Sequence, residues 1–479
     1  MSLGTALVLA GCTAGPDFHR PVAPAVDSYV VPGPQATAPS FAVGDAIQRD
    51  WFRIFGSTAT DALIQQALAG SPTLEQARAR VTQASEQLRA QRGSLLPHVD
   101  AAIDASRNQG NGAQLGLGGP QFQSSFGLYS TSLGASYDLD LAGANRRGVE
   151  SAAAKLDVAT AQYQAAYISL EASVVSSAIE AAALNDTIAA TQSILDADAH
   201  RLAIFEAQQR AGAIAGSALL QLRSQIAATR ATLPPLQQQL AVTRATLATL
   251  VGVPVGQFQM PALSMKDFRL PTVLPVSLPS DLVRQRPDIL VAEANLHDAT
   301  AQLGIATANL YPSITLSASY GTSTNVAGDV FKAGSVIWSL GAGITQPIFE
   351  GGRLHAERDA AKAALQASAA DYRNAVLNAF AEVSNTLQAL QNDAAGVSAQ
   401  DEAMSTARDA SGVVDAQVSH GSTGYLDLLT SNTQFQQASV ADIQARSQQL
   451  LDVVSLYRSL GGGWWSADVA QQPEPPRAR

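Results

Sequence analysis

Six histidines, His19, His98, His200, His297, His355 and His420, are scattered along 479 residues, and no two stand four apart as a helical metal pair would. The chain has one cysteine, Cys12, which excludes an internal disulfide and a cysteine-based metal cage. No Walker, Gly-x-Ser-x-Gly or metalloprotease pattern occurs. Gly351-Gly352 and Gly461 to Gly463 sit at element ends, where they read as turns and not as phosphate cradles. Asp138 and Asp140 are close enough to pair as an acid and a base, but strict alternation puts both on the polar face of a strand. The expectation is a protein with no catalytic site, no cofactor and no metal.

Composition narrows what remains. The formal charge is −10 and no basic run appears, which argues against nucleic acid. Only 15% of residues are charged, and the 46% that are hydrophobic are largely alanine, so no apolar run long enough to cross a bilayer as a helix is expected. Leu9-Ala10-Gly11-Cys12, following a short apolar stretch, resembles the lipobox of bacterial lipoproteins, with Cys12 as the lipidated residue. Met1-Ser2-Leu3 lacks the Lys or Arg that opens a secretion signal, so the signal is expected to begin upstream. Thr13, not Asp, follows the cysteine, which by the lipoprotein rule points to the outer membrane.

The chain resembles itself. Pro72 and Pro97 recur as Pro287 and Pro312 at an offset of 215, and Ala77, Ala84, Gln87, Leu88 and Leu95 recur with them. Ser132 to Ala135 reappear as Ser339 to Ala342 at 207; Gly212, Leu219, Leu220 and Gly252 map onto Gly421, Leu428, Leu429 and Gly461 at 209. Three ordered blocks separated by small indels indicate two copies of one unit. The expected organisation is residues 1–12 as signal remnant and lipobox, 13–50 as extended linker, 51–265 as first repeat, 266–461 as second repeat and 462–479 as tail. Each repeat reads as helix, two strands, long helix and return helix.

Each copy holds two strands. From Tyr129 to Leu141, Tyr129, Leu133, Tyr137 and Leu139 alternate with Ser130, Ser132, Ser136 and Asp138; Trp338, Leu340 and Ile344 alternate likewise with Ser339, Gly341 and Thr345. Weaker partners lie at 99–106 and 314–321. Strands of this length cross a bilayer at a tilt, yet four cannot close a barrel, since the smallest membrane barrels have about eight. Three copies would give twelve. After each strand pair comes a proline-free helical stretch, about 146–211 and 353–420. The first carries a seam spaced four and three from Leu156 through Val174 and Leu195 to Phe205, the coiled-coil pattern of helices packed lengthwise. Return helices are expected at 217–251, broken at Pro234-Pro235, and at 425–460. The fold class is mainly α with a transmembrane β-barrel portion.

Gly15-Pro16-Asp17-Phe18-His19-Arg20-Pro21, Arg286-Pro287-Asp288-Ile289, Tyr311-Pro312 and Leu460-Gly461-Gly462-Gly463-Trp464 resemble the outer membrane efflux proteins of TolC/OprM type, within them the NodT-like lipoproteins of resistance-nodulation-division systems. The resemblance covers nearly the whole chain. It implies a homotrimer with a shared twelve-stranded barrel in the outer membrane, a twelve-helix periplasmic tunnel, and partners in a periplasmic adaptor and an inner-membrane pump. The chain would passively conduct drugs or other small molecules. A duct for type I protein secretion or metal efflux, and a structural coiled-coil envelope lipoprotein, stand as alternatives.

In that family the tunnel closes at its periplasmic tips, after the second-copy glycine. Leu426 and Asp427 fall where members place aperture residues, and Thr423 and Thr430 stand where some members hold Arg and Asp, so the ion-pair closure of those members is expected to be absent or rearranged. Three copies of Asp427 near one axis would favour cations and repel one another; the plainer reading of Asp427 is a helix-start acid favoured by the dipole. Gly212 and Gly421 mark the expected adaptor-contact tips, though a tight turn alone also calls for glycine.

Overall fold

The computed structural model describes residues 13–24, 29, 40–45, 47–111, 123–420 and 422–464; Cys12 and Gly421 lie outside the described residues. In chain order the elements are β1 Ser40–Val43, α1 Thr58–Gly70, α2 Pro72–Gly93, β2 His98–Asn111, β3 Gln123–Leu139, α3 Ala144–Arg210, α4 Gly216–Ala231, α5 Leu233–Val251, β4 Val273–Val276, α6 Pro279–Gln285, α7 Pro287–Ala308, β5 Ser313–Thr324, β6 Val336–Thr345, α8 Arg353–Ser419 and α9 Tyr425–Ser459. The described residues are mostly helical, at 67%. Two compact units divide the chain, the first built from 1–21, 80–159 and 291–373, the second from 22–79, 160–290 and 374–479.

In the first unit four strands form an antiparallel sheet in the order β2-β3-β5-β6. The register sets Asp100 opposite Gly134, Ser136 opposite Ser317 and Ser319 opposite Ser339 on one face; Leu133 opposite Tyr320 and Tyr320 opposite Trp338 occupy the other. Because side chains alternate with period two, one register sorts every residue of all four strands at once. Segment 13–20 crosses this unit as an ordered strap. Arg147 Nη2 donates to Asp17 Oδ1 at 2.7 Å and Arg147 Nη1 to Glu150 Oε2 at 2.6 Å, with the Arg147 side chain only 5% exposed. Phe18 stacks on His297 at 4.3 Å, the His297 ring bonds Glu150 at 2.9 Å, and Arg20 pairs with Glu293. Gly15, at φ +83°, lies so close to Gly304 that a Cβ would sit 2.7 Å from the Gly304 Cα.

The reading of 13–50 as a bare linker is thus corrected: its first part is clasped by buried charge, and β1 pairs in parallel with β4 in the second unit. Two short strands therefore join the four expected, each only four residues and too brief to show alternation. Asp140 is also reassigned. β3 ends at Leu139, and Asp140 accepts from the backbone N–H groups of Asn145 at 3.1 Å and Arg146 at 2.9 Å. The start of a 67-residue helix presents unpaired donors and a positive dipole end, and the carboxylate answers both.

In the second unit a 3-10 turn, Trp51–Phe55, is buried against α9 through a Trp51–Tyr457 stack at 5.2 Å. Ile64, Ile179, Leu247, Leu282 and Leu456 of the same unit are fully buried. Arg286 bonds Asp288, Glu382 and the Ser459 carbonyl, each at 2.7 Å through one of its terminal nitrogens, tying α7, α8 and the end of α9. The first return helix breaks at Thr232, just before Pro234-Pro235, while α9 runs 35 residues without interruption. α3 corrects one further expectation, since one 18-residue window is apolar enough to cross a membrane; 61% of that window is buried inside the fold. Alanines pack such a stretch against neighbouring helices, and the seam from Leu156 to Phe205 carries no exposed residue.

Candidate functional site

The candidate residues fall in the second unit, at the ends of the long helices away from the strands in sequence. α3 ends at Arg210, and Gly212, with φ +72° and nothing within 4 Å of a built Cβ, turns the chain toward α4. The turn is closed by the Ala213 N–H donating to the Gln208 carbonyl at 2.8 Å. α8 ends at Ser419 and α9 begins at Tyr425, with Gly424 as an N-cap that offers no side chain.

The first turn of α9 has two sides. Tyr425 and Leu429 pack against an apolar cluster of Phe205, Leu219, Leu222 and Ile226 from α3 and α4, and Leu428 is buried. The Tyr425 ring meets Phe205 edge-on at 4.0 Å, and its hydroxyl donates to the Gln208 side-chain carbonyl. On the other side Leu426, 64% exposed, and Asp427 and Thr430 face solvent. Thr423 does not join that face: it is half-buried and donates its hydroxyl to Asp427 Oδ2 at 2.7 Å. Among the described residues Asp427 makes no ion pair. Its site at the start of a helix places the carboxylate in the favourable end of the dipole. Sequence reasoning singled out Leu426 and Asp427 in this turn and did not single out Tyr425 or Gln208, because a Tyr-Gln pair 217 residues apart leaves no spacing signal.

The strand sheet supplies the second functional surface. Its polar face holds Asp100, Asp104 and Asp138 among Ser, Thr and Gly, with Thr315 donating to Asp138 at 2.7 Å and Ser319 and Ser339 bonded at 2.8 Å. Its other face exposes Ile103, Leu133, Tyr320, Trp338, Leu340 and Ile344. The outer edges of β2 and β6 have no partner strand among the described residues. The sheet thus presents one polar face, one exposed apolar face and two edges that are open among the described residues.

The family model described as outer membrane efflux protein matches residues 63–253 and 278–462, and the chain belongs to that family. It is 33% identical over 420 residues to the pyoverdine export outer membrane protein OpmQ of Pseudomonas aeruginosa, covering 87% of this chain and 88% of that one. Among solved structures it resembles the outer-membrane channel OprN, with TM-score 0.86 and 27% identity over 95% of this chain and 100% of the other. It also resembles the open state of the Neisseria gonorrhoeae MtrE outer-membrane channel, with TM-score 0.82 and 28% identity over 94% and 98%. The protein is an outer-membrane efflux channel; its relatives are channels and not enzymes.

Proposed function

We propose that three copies of this chain form one exit duct, each giving four strands to a twelve-stranded barrel and its long helices to a twelve-helix periplasmic tunnel. The observation that carries this reading is the sheet with sorted faces and open edges β2 and β6. Four strands fall short of the smallest membrane barrel of about eight, and pairing β6 of one copy with β2 of the next removes both edges. Internal duplication supports the same assembly: α3 and α8 each run 67 residues, α2 and α7 each 22, and the family model matches once in each half. The proposed repeats are 51–265 and 266–461, flanked by the 13–50 segment and the 462–479 tail.

Small molecules delivered by an inner-membrane pump through a periplasmic adaptor pass through this duct without energy input here. Leu426, Asp427 and Thr430 face the periplasmic aperture, with Thr423 orienting the Asp427 carboxylate; the turn at Gly212, together with Gly421 outside the described residues, receives the adaptor. Cys12 carries the lipid that anchors each copy in the outer membrane.

Purified protein in planar bilayers tests the conduction reading. Trimers should open cation-preferring pores, and Asp427→Ala should raise or reshape their conductance. An unchanged conductance and cation preference removes Asp427 from the aperture. Incorporation of labelled palmitate by a Cys12→Ser variant would defeat the lipidation reading.

A further inference from the structure

The apolar face of the four-stranded sheet carries one charge. From Leu139, Ile314 and Ile344 at the end nearest α3 and α8, its rows run through aliphatic, aromatic and threonine side chains to Tyr129. Ten residue steps from Leu139 to Tyr129, at about 3.4 Å each and tilted about 40°, rise roughly 26 Å, close to the apolar band of about 25 Å on a membrane barrel. Arg107 stands one row past Tyr129, opposite Gly127. It shares the face of Val99 and Ile103 by alternation, it is exposed, and among the described residues it is the only charged side chain on that face. The opposite end of the face has no such residue among those described.

Gly127 gives Arg107 a companion. The Tyr129 ring lies over this glycine: a Cβ built on Gly127 would stand 2.8 Å from Tyr129 Cε2 and 3.2 Å from its hydroxyl oxygen. A larger residue at 127 would push the ring away. Directly opposed residues of an antiparallel pair have Cβ atoms about 4.5–5.5 Å apart, so the phenol lies across from Arg107. The guanidinium offers only donors, and the phenol adds an O–H beside them. Among the described residues neither side chain makes an ion pair or a hydrogen bond. Their polar neighbours are already bonded to each other, Asn108 to Ser106 and Thr131 to Thr322. A cation at the rim of a hydrocarbon layer reaches for the headgroups. Phosphate answers both the charge and the donors, since a planar guanidinium matches two of its oxygens at once.

We propose that Arg107 and Tyr129 bind the phosphate group of a glycolipid in the outer leaflet of the membrane, one site on each copy. The guanidinium holds two phosphate oxygens, the phenol donates to a third, and the acyl chains run down the apolar rows over Leu133 and Tyr320. A phosphate monoester carries more negative charge than the diester of a zwitterionic phospholipid, which favours a phosphorylated glycolipid as the occupant. The site rests on the reading of this face as the lipid-facing side of a barrel, with α3 and α8 on the periplasmic side.

Purified protein incubated with bisphosphorylated lipid A, its bound lipid counted by native mass spectrometry, tests the site. Arg107→Gln should weaken lipid A binding about tenfold and Tyr129→Phe about threefold, the losses expected of a charge-assisted and a neutral hydrogen bond. Arg107→Lys, which keeps the charge and loses the fork, should fall between Arg107→Gln and the wild type. Lys332→Gln removes an exposed cation already paired with Asp329 and should bind as the wild type does. Lipid A stripped of its phosphates should bind weakly and alike to all of them. Wild-type affinity in Arg107→Gln, an equal loss in Lys332→Gln, or full binding of the stripped lipid overturns the site. So does displacement of lipid A by inorganic phosphate at equal concentration, which would make the ligand a free ion. Phosphatidylcholine brominated in its acyl chains keeps site and barrel apart. It should quench Trp338, 73% exposed on the apolar face, as strongly in Arg107→Gln as in the wild type, with Trp338→Phe as the reference. Quenching of Trp338 with unchanged lipid A binding in Arg107→Gln retains the lipid-facing sheet and discards the site. Absence of quenching discards the barrel reading and the site with it.

Discussion

The indole N–H of Trp51 donates to Glu171 Oε2 at 3.1 Å, and this carboxyl, 1% exposed, lies in the middle of α3 without an ion-pair partner among the described residues. Burial pushes the Glu171 carboxyl up to about 8, against which the bonds from Trp51 and Tyr167 and the charge of Arg49 work only partly. It keeps its proton in the folded protein at neutral pH.

That proton makes stability depend on pH. Between the ordinary value of 4.5 and about 8, the folded chain holds a proton that the unfolded chain has released. The Glu171 contribution is therefore present in full below the unfolded value and lost as pH rises through this window, by at most about 1.4 kcal/mol per pH unit. Glu171→Gln keeps the shape and removes the titration. Its unfolding midpoint at pH 8.5 should exceed that of the wild type, and the gap should vanish near pH 4.5. A constant gap at all pH values would mean that Glu171 is ionised in the folded protein.

Asp393 of α8 faces Asp452 of α9, and burial first, then the bond and charge of Asp452, push it up to about 7. Two carboxyls bond only while one keeps a proton. The protonated Asp393 contributes stability that is present in full below 3.8 and lost as pH rises through about 7. Asp393→Asn should slow amide exchange around 393 and 452 at pH 8 relative to the wild type and leave it unchanged at pH 5. Equal exchange at pH 8 would show that the pair does not share a proton.

How much of this could be read from the residues follows from the range of the interactions involved. Period-two alternation at 129–141 and the four-three seam through Val174 and Phe205 are local signals; the first falls on a strand that runs 123–139 and the second on α3. The break near Pro234-Pro235 was legible because proline removes a backbone donor at a known place. What escaped was set by partners far away in the chain. Asp140 looked like one more polar strand residue until the start of α3 turned it into a cap. The strap at 13–20 read as loose because nothing in its own composition shows the buried Arg147 that receives Asp17. Of the tip residues, Leu426 and Asp427 came from family resemblance, while Tyr425 and Gln208 needed coordinates.

Arg147 gives the strap a measurable anchor. Arg147→Met keeps the aliphatic bulk but removes the guanidinium that bonds Asp17 and Glu150, the link that ties the strap to the start of α3. The strap should detach from the first unit before the sheet does. Chymotrypsin cleavage after Phe55, in the other unit, serves as the internal control, while cleavage after Phe18 should speed up at least tenfold. Equal acceleration at both sites would point to global loosening and not to release of the strap.

Adjacent residues of β6 test the sorting of the sheet most directly. Leu340 is 79% exposed on the apolar face, and its neighbour Ser339 is exposed on the polar face, bonded to Ser319. In water the two would tolerate a charge almost equally. In a barrel that spans a membrane, a lysine at Leu340 meets hydrocarbon at a cost of about 2–4 kcal/mol per copy, whereas one at Ser339 meets the lumen. Three copies multiply the penalty at Leu340. Leu340→Lys should therefore strongly reduce the amount of assembled protein recovered from outer membranes, while Ser339→Lys should assemble normally and weaken cation preference in bilayers. Normal assembly of Leu340→Lys would take the apolar face away from lipid, and with it the proposed barrel.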